Sequence, residues 1–355
     1  MRDIIRIGMD TSKSVFQLHG VDAAEAVVLR KKLSRKAMID FFEGLAPTEI
    51  GLEACGGSHH WARLLGSFGH TVKLLPPQHV KAYVKRSKND ARDAEALCEA
   101  MSRPTMRVVP VKSVDAQAGL MLLKVRARLV ADRTQTAHAI RGHAAEFGLT
   151  APKGLAHIRP LVARIMEDAG VPELARTLFG ELLERFDDLD RRIRHKDAQL
   201  AAWHRSDAAS RRLTRIPGIG EVGAVMLSLK TPDPQGFRSG RQFAAWLGLT
   251  PKDHSTAGKQ RLGAITRAGD EALRAVLVSG AMAVIQQKSR GKGQPWPWLE
   301  ALLAHKSTKL AAVALANKIA RIAWKLMVSG EPFDPERALR ACPVGDDTGT
   351  LSPAH

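Results

Sequence analysis

The chain has 355 residues, of which 45% are hydrophobic and 25% are charged, an ordinary globular composition that excludes a largely disordered protein. Lys and Arg number 54 against 36 acidic residues, so the net charge is +18 and a polyanion such as nucleic acid is the expected partner. Its three cysteines are far apart and in no CxxC spacing, which excludes a disulfide framework and a zinc finger and predicts a reducing cytoplasm. Apolar runs are shorter than the ~20 residues that span a bilayer, so no membrane partner is expected.

Residues 1–110 alternate short β-branched runs with helical stretches. Strands are predicted at 4–10, 15–20, 26–29, 49–53 and 71–75, and helices at 36–45 and 58–68. The resulting order, βββαβαβ followed by a helix, is that of a ribonuclease H-like fold. The pattern therefore favours an α/β domain of this class at the N-terminus.

A long helical arm is predicted within residues 111–205. Apolar residues recur there with a 4-3 spacing, interrupted by Lys196: Leu182, Phe186, Leu189, Ile193, Leu200 and Trp203. This spacing is typical of a coiled coil. A basic band from Arg191 to Lys196 runs along the same stretch. The arm either packs on its own domain with a solvated outer face or serves dimerisation and nucleic-acid binding, and the pattern leaves both open.

A second helical domain is predicted at 206–330, followed by a flexible tail at 331–355 that is rich in Pro, Asp and Gly. Within it, Pro217-Gly218-Ile219-Gly220 precedes an apolar helix. Such a turn exposes backbone N–H groups, which makes Gly218 and Gly220 candidate phosphate contacts. The alternative is a tight turn whose glycines only permit close helix packing.

Four acidic residues stand where a nuclease would place metal ligands. Asp10 and Glu53 close the first and fourth predicted strands, while Asp90 and Asp93 share a helix face at i, i+3. Carboxylate oxygens suit Mg²⁺, and two such ions clamp the attacking and leaving oxygens of a phosphodiester. We therefore predict Mg²⁺ as the cofactor. Each acid alone could instead cap a turn or a helix.

Basic residues precede the acid pair in the sequence. They are candidate contacts to a nucleic-acid backbone: Lys81, Lys85, Arg86 and Lys88. A solvated charge run is the alternative interpretation.

The polar segment 248–259 lies between two apolar helices and contains Ser255 directly after His254. A serine hydroxyl needs a base or a metal to become a nucleophile, and nearby cations stabilise charge that develops on a phosphate. The candidate cations are Lys252, Lys259 and Arg261. Local capping by the serine is the alternative.

Together these motifs resemble the insertion-sequence one-ten transposase family, and in particular its eleven-eleven branch. The resemblance covers the chain from Ile7 to about Pro332. On the N-terminal side, the matching stretches resemble the family's RuvC-type domain and lie at 7–13, 53–59, 75–81 and 88–94. On the C-terminal side they lie at 216–220, 248–261 and 314–321.

The resemblance implies a recombinase that moves its own mobile element. The family's acid set falls on Asp10, Glu53, Asp90 and Asp93, and its serine nucleophile falls on Ser255. Thr256 and Ala257 stand where the branch usually has Ser and Gly, so the nucleophile is left open between Ser255 and Thr256. Some members use a non-coding RNA of the element to choose target and donor, which makes a guide RNA a candidate partner beside DNA.

The sequence thus predicts a cytoplasmic, Mg²⁺-dependent DNA transposase built from an α/β ribonuclease H-like (RuvC-type) domain, a helical coiled-coil arm and an all-α C-terminal domain. Ser255 would attack a DNA phosphodiester in a site assembled between protomers of a homo-oligomer, a dimer or tetramer. A metal-only nuclease or Holliday-junction resolvase would use the same acids without Ser255. A sugar kinase or actin-like ATPase is disfavoured, because the second phosphate-loop-like string, 347–350, lies in the tail.

Overall fold

The computed structural model describes residues 3–84, 89–231, 233–256, 259, 261–293 and 295–336. The chain forms two compact units, Met1–Val114 and Asp115–His355. Most of the predicted tail, from 337 onward and including the string 347–350, lies outside the described residues.

A five-stranded mixed sheet with flanking helices forms the first unit. Its strands are β1 (Arg6–Thr11), β2 (Val15–Val21), β3 (Val27–Ser34), β4 (Glu49–Glu53) and β5 (Thr71–Leu75), and its helices are α1 (Arg35–Glu43), α2 (Ser58–Ser67), α3 (Pro77–Val80) and α4 (Asp90–Ala100), with a 3₁₀ turn at Lys81–Tyr83. The strand order is β3-β2-β1-β4-β5. Strands β1, β2 and β3 pair antiparallel, whereas β4 is parallel to both β1 and β5. The predicted α/β class is confirmed for this unit.

Strand β3 extends to Ser34, beyond the predicted end at residue 29. Its second half is basic, with exposed Arg30, Lys31 and Lys32. An edge strand exposes part of its surface, so charged residues can continue the pairing with β2. The prediction ended the strand too early because it followed the apolar run, which stops at Leu29, whereas the paired strand continues through the basic residues to Ser34.

The two faces of the sheet pack against different helices. Ile7 and Met9 of β1 are fully buried in the cluster that holds α1 and α2. Gly8, between them, faces α4: a Cβ there would lie 2.1 Å from the carbonyl oxygen of Ala94. Gly51 is the partner of Gly8 in β4, and a Cβ on it would lie 2.8 Å from the sulfur of Met101. This pair of glycines allows α4 to lie directly on the two central strands.

Helices dominate the second unit. They are α5 (Val114–Glu146), α6 (Ile158–Glu167), α7 (Glu173–Ser206), α8 (Ala208–Leu213), α9 (Glu221–Lys230), α10 (Gly240–Trp246), α11 (Glu271–Ser289), α12 (Pro297–His305) and α13 (Thr308–Ser329), with 3₁₀ turns at Leu155–His157 and Pro234–Gly236. The expected all-α domain also contains an antiparallel hairpin of β6 (Pro251–Asp253) and β7 (Leu262–Ile265). Strand β6 is exposed throughout and carries no apolar alternation, which is why the sequence indicated only a loop.

Helices α5 and α7 run antiparallel in contact with each other, within the residues for which the arm is predicted. Ion pairs join Arg126 to Asp197 and Arg133 to Asp190, so seven residues separate the contacts on each helix. The apolar seam of α7 is buried within the same chain, as at Phe186, which packs against residues of α5 and α6. The apolar residues of α7 therefore pack on the chain's own helices, as one of the two interpretations expected, while a coiled coil stays a prediction.

The basic band on α7 is largely paired within its own helix. Arg191 and Arg192 contact Asp188, and Arg194 contacts Asp190. Surface ion pairs of this kind contribute little stability each. Among the described helices, none combines the length and hydropathy that crossing a membrane would require.

Candidate active site

The carboxyl ends of the two central parallel strands carry the first two acids. Asp10 follows Met9 in β1, and Glu53 follows Leu52 in β4, and Met9 and Leu52 are register partners. The two carboxylates are therefore neighbours at one edge of the sheet. Both side chains are half-buried.

Helix α4 brings the second pair of acids toward the same edge. The side chain of Asn89 caps this helix by accepting a hydrogen bond of 2.9 Å from the backbone N–H of Arg92, which places Asp90 and Asp93 in the first turn. The helix rests on β1 through the contact of Ala94 with Gly8, two residues before Asp10.

The carboxylate of Asp10 interacts electrostatically with those of the other three acids. Burial, followed by repulsion from Asp90 and Asp93 and, more weakly, from Glu53, raises the pKa of Asp10 from 3.8 to about 6, against a hydrogen bond from the Thr11 backbone. Among the described residues, burial and the neighbouring negative charges thus outweigh the contacts that stabilise the ionised Asp10 carboxylate. The structure therefore brings the predicted acid set to one edge of the first unit.

The chemistry of the set fits a divalent cation. In the described ranges of the chain, no three His, Cys, Asp or Glu side chains already stand in the geometry of a metal site. Carboxylates that repel one another are nevertheless the hard, anionic oxygen donors that such a cation prefers, and its charge would relieve their repulsion. The residues that would hold it are Asp10, Glu53, Asp90 and Asp93.

Two neighbours of the acid edge did not emerge from the sequence. The hydroxyl of Thr11 lies 3.7 Å from the sulfur of Cys55, an exposed free thiol two residues after Glu53.

Of the basic residues predicted to contact a nucleic-acid backbone, Lys81 is exposed in the 3₁₀ turn after α3. Lys85, Arg86 and Lys88 lie outside the described residues.

Ser255 lies at the end of the β6–β7 hairpin in the second unit and is exposed. Its hydroxyl donates a hydrogen bond to the carboxylate of Asp253, which also accepts the backbone N–H of Ser255 at 2.9 Å. These two hydrogen bonds lower the pKa of Asp253. On the other side, the backbone N–H of Arg261 donates to the serine oxygen at 3.0 Å. The hydroxyl is thus held between an ionised carboxylate and a backbone donor.

Asp253 was missed by the sequence analysis. Its signal is an Asp two residues before a Ser, the spacing of an Asx turn. Thr256, the alternative nucleophile, forms a β-bridge with Lys259 further out on the hairpin. The cationic residues Lys252, Lys259 and Arg261 are all exposed around it.

The two candidate phosphate-binding glycines differ. Gly218 has a φ of +92°, and a Cβ on it would lie 3.0 Å from the carbonyl oxygen of Gly280, so this glycine is required for close packing on α11. Gly220 caps α9, and a Cβ on it would meet no atom within 4 Å. The packing alternative therefore accounts for Gly218, whereas the backbone at Gly220 is open to a ligand.

Comparison with known proteins identifies the family. Residues 7–147 match the DEDD transposase family of IS110, and residues 210–294 match the transposase IS116/IS110/IS902 family. A putative transposase y4pF/y4sB of Sinorhizobium fredii is 61% identical over 94% of this chain and 86% of its own length. A probable family 20 transposase of Pseudomonas aeruginosa is 46% identical over 92% of this chain and 97% of its own length. The transposase for insertion sequence element IS1111A of Coxiella burnetii is 36% identical over 94% of this chain and 92% of its own length. The resemblance expected from the motifs is thereby confirmed, and the chain belongs to the IS110/IS116/IS902 family of insertion-sequence transposases.

Proposed function

We propose that this transposase cleaves and joins DNA through attack of the Ser255 hydroxyl on a phosphodiester, assisted by divalent cations that the four acids hold. The observation that carries the proposal is the gathering of four carboxylates at one sheet edge, with the pKa of Asp10 raised to about 6. Sheet and helix hold these side chains on a rigid scaffold, as metal ligation requires. The ribonuclease H-like, RuvC-type assignment of the unit belongs to the same proposal.

A divalent cation bound there would polarise a phosphoryl oxygen and stabilise the oxygen that leaves; we propose Mg²⁺. The protein's own contribution at this edge is positional. Asp10 and Glu53 are fixed by neighbouring parallel strands, and Asp90 and Asp93 by a capped helix that rests on Gly8.

Ser255 would form a covalent bond to phosphorus while the bond from phosphorus to a deoxyribose oxygen breaks. The hydroxyl donates its proton in a hydrogen bond to Asp253, which would fix its position for attack. On attack, the serine proton would be released to water and the leaving deoxyribose oxygen would take up a proton. The N–H of Arg261 donates to the serine oxygen, so it would stabilise an alkoxide. Because the phosphodiester energy is kept in the covalent link, attack by a second DNA end would reverse the step and join the strands.

Charge supports DNA as the substrate. The net charge is +18, and the exposed cations include Lys81 after α3 in the first unit and Lys252 and Lys259 on the hairpin. We expect binding to weaken steeply with added salt. A guide RNA would be drawn by the same charge, and sequencing the nucleic acid that co-purifies with the protein tests for it.

The acids lie in the first unit and Ser255 in the second, and we propose that both act on one phosphate within a homo-oligomer. Large apolar side chains exposed near the outer end of the arm support self-association: Phe147, Leu155, Met166, Leu174 and Leu178. The exposed thiol of Cys55 is in keeping with a reducing cytoplasm.

The proposal is tested by trapping the covalent intermediate on a suicide DNA substrate. Wild type and Thr256→Ala should form a protein–DNA adduct, and Ser255→Ala should form none. Adducts in Ser255→Ala but not in Thr256→Ala would move the nucleophile to Thr256. DNA cleavage that persists in Ser255→Ala without any adduct would instead support the metal-only nuclease.

A further inference from the structure

A closed-in cavity lies beside the Pro217-Gly218 turn of the second unit. Its volume is about 300 Å³, and its walls include Pro217, Gly218, Ala283, Gln287, Trp296 and Leu299. Small-molecule sites begin at about this volume, so it is the size of one ring system rather than of an extended ligand. The contact between Gly218 and Gly280 fixes the turn against α11 and so holds this wall in place.

An aromatic side chain forms one wall. Trp296 is only 3% exposed, and its indole nitrogen is buried without a hydrogen-bond partner. Buried indole N–H groups normally find an acceptor. The ammonium group of Lys318 lies over both Trp296 and Trp298, 5.6 and 4.6 Å from the ring centres, which holds the two indoles in position. Because so little of Trp296 is exposed, this indole gives the cavity a fixed wall, and a flat ring would fit the cavity by its size rather than by stacking on the indole.

The remaining lining is partly polar. Gln287 and Lys292 contribute exposed side chains, an amide and an ammonium group, while Lys288 is already paired with Glu300. An amide can pair with the donor and acceptor edge of a nucleobase. Apolar surface from Val284 and Leu299 completes the enclosure.

On the other side of Pro217 lies a more open groove of about 600 Å³. It is lined by Arg211, Arg212 and Arg215, and the Nε atom of Arg212 is buried without a hydrogen-bond partner. Arg211 also donates a hydrogen bond to the carbonyl oxygen of Arg205. Guanidinium groups that line one groove are suited to phosphate. The base-sized cavity and the phosphate groove therefore share one lining residue, Pro217.

We propose that these two sites together bind one unpaired nucleotide, with its base in the cavity between Pro217, Ala283 and Gln287 and its backbone phosphate on the arginines. The inference rests on the proposed function in that nucleic acid is the substrate. Strand exchange transiently leaves bases without partners, and extruding an unpaired base costs less than extruding a paired one, because no base pair has to be broken. The shared chemistry is an unpaired nucleobase with its phosphate, from DNA or from RNA.

The test uses the full-length protein and oligonucleotides that carry one 2-aminopurine, whose fluorescence rises when the base leaves the stack. Ala283 is exposed on α11 and lines the cavity, so Ala283→Trp fills it without disturbing the core; Ala275→Trp, at an exposed position of the same helix outside the lining, is the matched control. Trp296→Phe keeps a ring and removes the N–H group.

Wild type and Ala275→Trp should raise the fluorescence of single-stranded probes, and Ala283→Trp should not. Affinity for single strands should fall ~10-fold in Ala283→Trp and less in Trp296→Phe, since the contacts of one base are at stake. A rise in fluorescence with the DNA probe or with the RNA probe supports the site and shows which of the two nucleic acids it binds. Equal behaviour of Ala283→Trp and Ala275→Trp would overturn it.

Salt-dependent binding of fully paired DNA should be unchanged in all of these variants, because it depends on phosphate contacts over the whole surface. Loss of the fluorescence response with that binding intact would refute the nucleotide site alone. Absence of duplex binding in the wild type would instead refute the proposed function.

Discussion

The acid edge of the first unit and the serine hairpin of the second place aspartates in opposite electrostatic conditions. Asp10 is half-buried among other acids, and burial together with their repulsion raises its pKa to about 6. Asp253 is fully exposed, and hydrogen bonds from Ser255 lower its pKa. In the part of the chain that the structure describes, burial and like charge dominate at the first carboxylate, whereas the second has a hydroxyl partner. This difference underlies the roles that we propose for them, cation binding at the edge and positioning on the hairpin.

The elements that carry the two sites also differ in how deeply they are buried. The acid edge is built from two buried parallel strands and a helix that rests on a pair of glycines. The hairpin is short, and the residues of β6 are exposed. A rigid edge suits metal ligands that must hold their spacing, and an exposed hairpin suits a nucleophile that must reach a phosphate.

The largest expected effect is the loss of catalysis at the acid edge. Asp10→Asn and Glu53→Gln should each lower the rate of DNA cleavage by ~10³-fold at saturating Mg²⁺, because a metal ligand is lost. Glu49→Gln is the matched control: Glu49 begins the strand that Glu53 ends and pairs with Lys73. Cleavage rates on plasmids that carry the element ends measure the effect. Equal rates for Glu53→Gln and Glu49→Gln would contradict a role for this edge.

A mixture of two inactive variants distinguishes a site shared between protomers from one contained in a single chain. Asp10→Asn protein keeps the serine and Ser255→Ala protein keeps the acids. If protomers share sites, mixing the two should restore DNA cleavage that neither shows alone.

The mixing result depends on self-association through the arm. Replacing the exposed Leu174 and Leu178 by Lys should lower the oligomer mass in light scattering and prevent restoration. A mixture that stays inactive while the oligomer is intact would place the acids and serine of each site in one chain.

A smaller loss is expected at the hairpin. Asp253→Asn keeps the size of the side chain and removes the charge that holds the hydroxyl, so the rate of adduct formation should fall ~10-fold to 100-fold, as for a charge-assisted hydrogen bond. Ser255→Ala sets the lower limit, and the affinity for DNA should not fall. An unchanged adduct rate would mean that Asp253 only shapes the turn.

The smallest effect concerns stability and pH. Folding raises the pKa of the Asp10 carboxyl group, so the folded chain binds the carboxyl proton more tightly than the unfolded chain does. The free energy of unfolding therefore falls as the pH rises from 3.8 to about 6 and this proton is lost. In chelator, Asp10→Asn should therefore unfold at a higher temperature than wild type above pH 6, and the difference should vanish below pH 4. Added Mg²⁺ should stabilise wild type but not the variant. For Asp253→Asn the sign is reversed, because its pKa is lowered and the stabilisation is present at neutral pH.

Calorimetry over this pH range checks both signs. An Asp10→Asn variant that is less stable than wild type in chelator at neutral pH would show that the carboxylate has a compensating partner in the protein.

The acid edge was largely predictable from sequence because strand ends are visible there. Strands β4 and β5 were predicted to the residue, since polar or proline residues bound their apolar runs. A stronger signal lies in the matched strings Ile7-Gly8-Met9-Asp10 and Ile50-Gly51-Leu52-Glu53, where each glycine marks the contact with α4 two residues before an acid. That contact depends on tertiary packing, which a single strand does not reveal.

The hairpin was less predictable for the opposite reason. Its strands bury no apolar face, so hydrophobic alternation, the main signal for a strand, is absent. Ser255 was identified through family resemblance, and its hydrogen-bond acceptor Asp253 required coordinates. Likewise, sequence could not separate Gly218, which packs on Gly280, from the open Gly220.

Anomalous scattering from Mn²⁺ in crystals of the full-length protein tests the central claim most directly. The account predicts peaks within ~2.0–2.3 Å of carboxylate oxygens of Asp10, Glu53, Asp90 and Asp93, and their loss in Asp10→Asn. Mn²⁺ bound elsewhere in a catalytically competent crystal, with these four carboxylates free of metal, would contradict it.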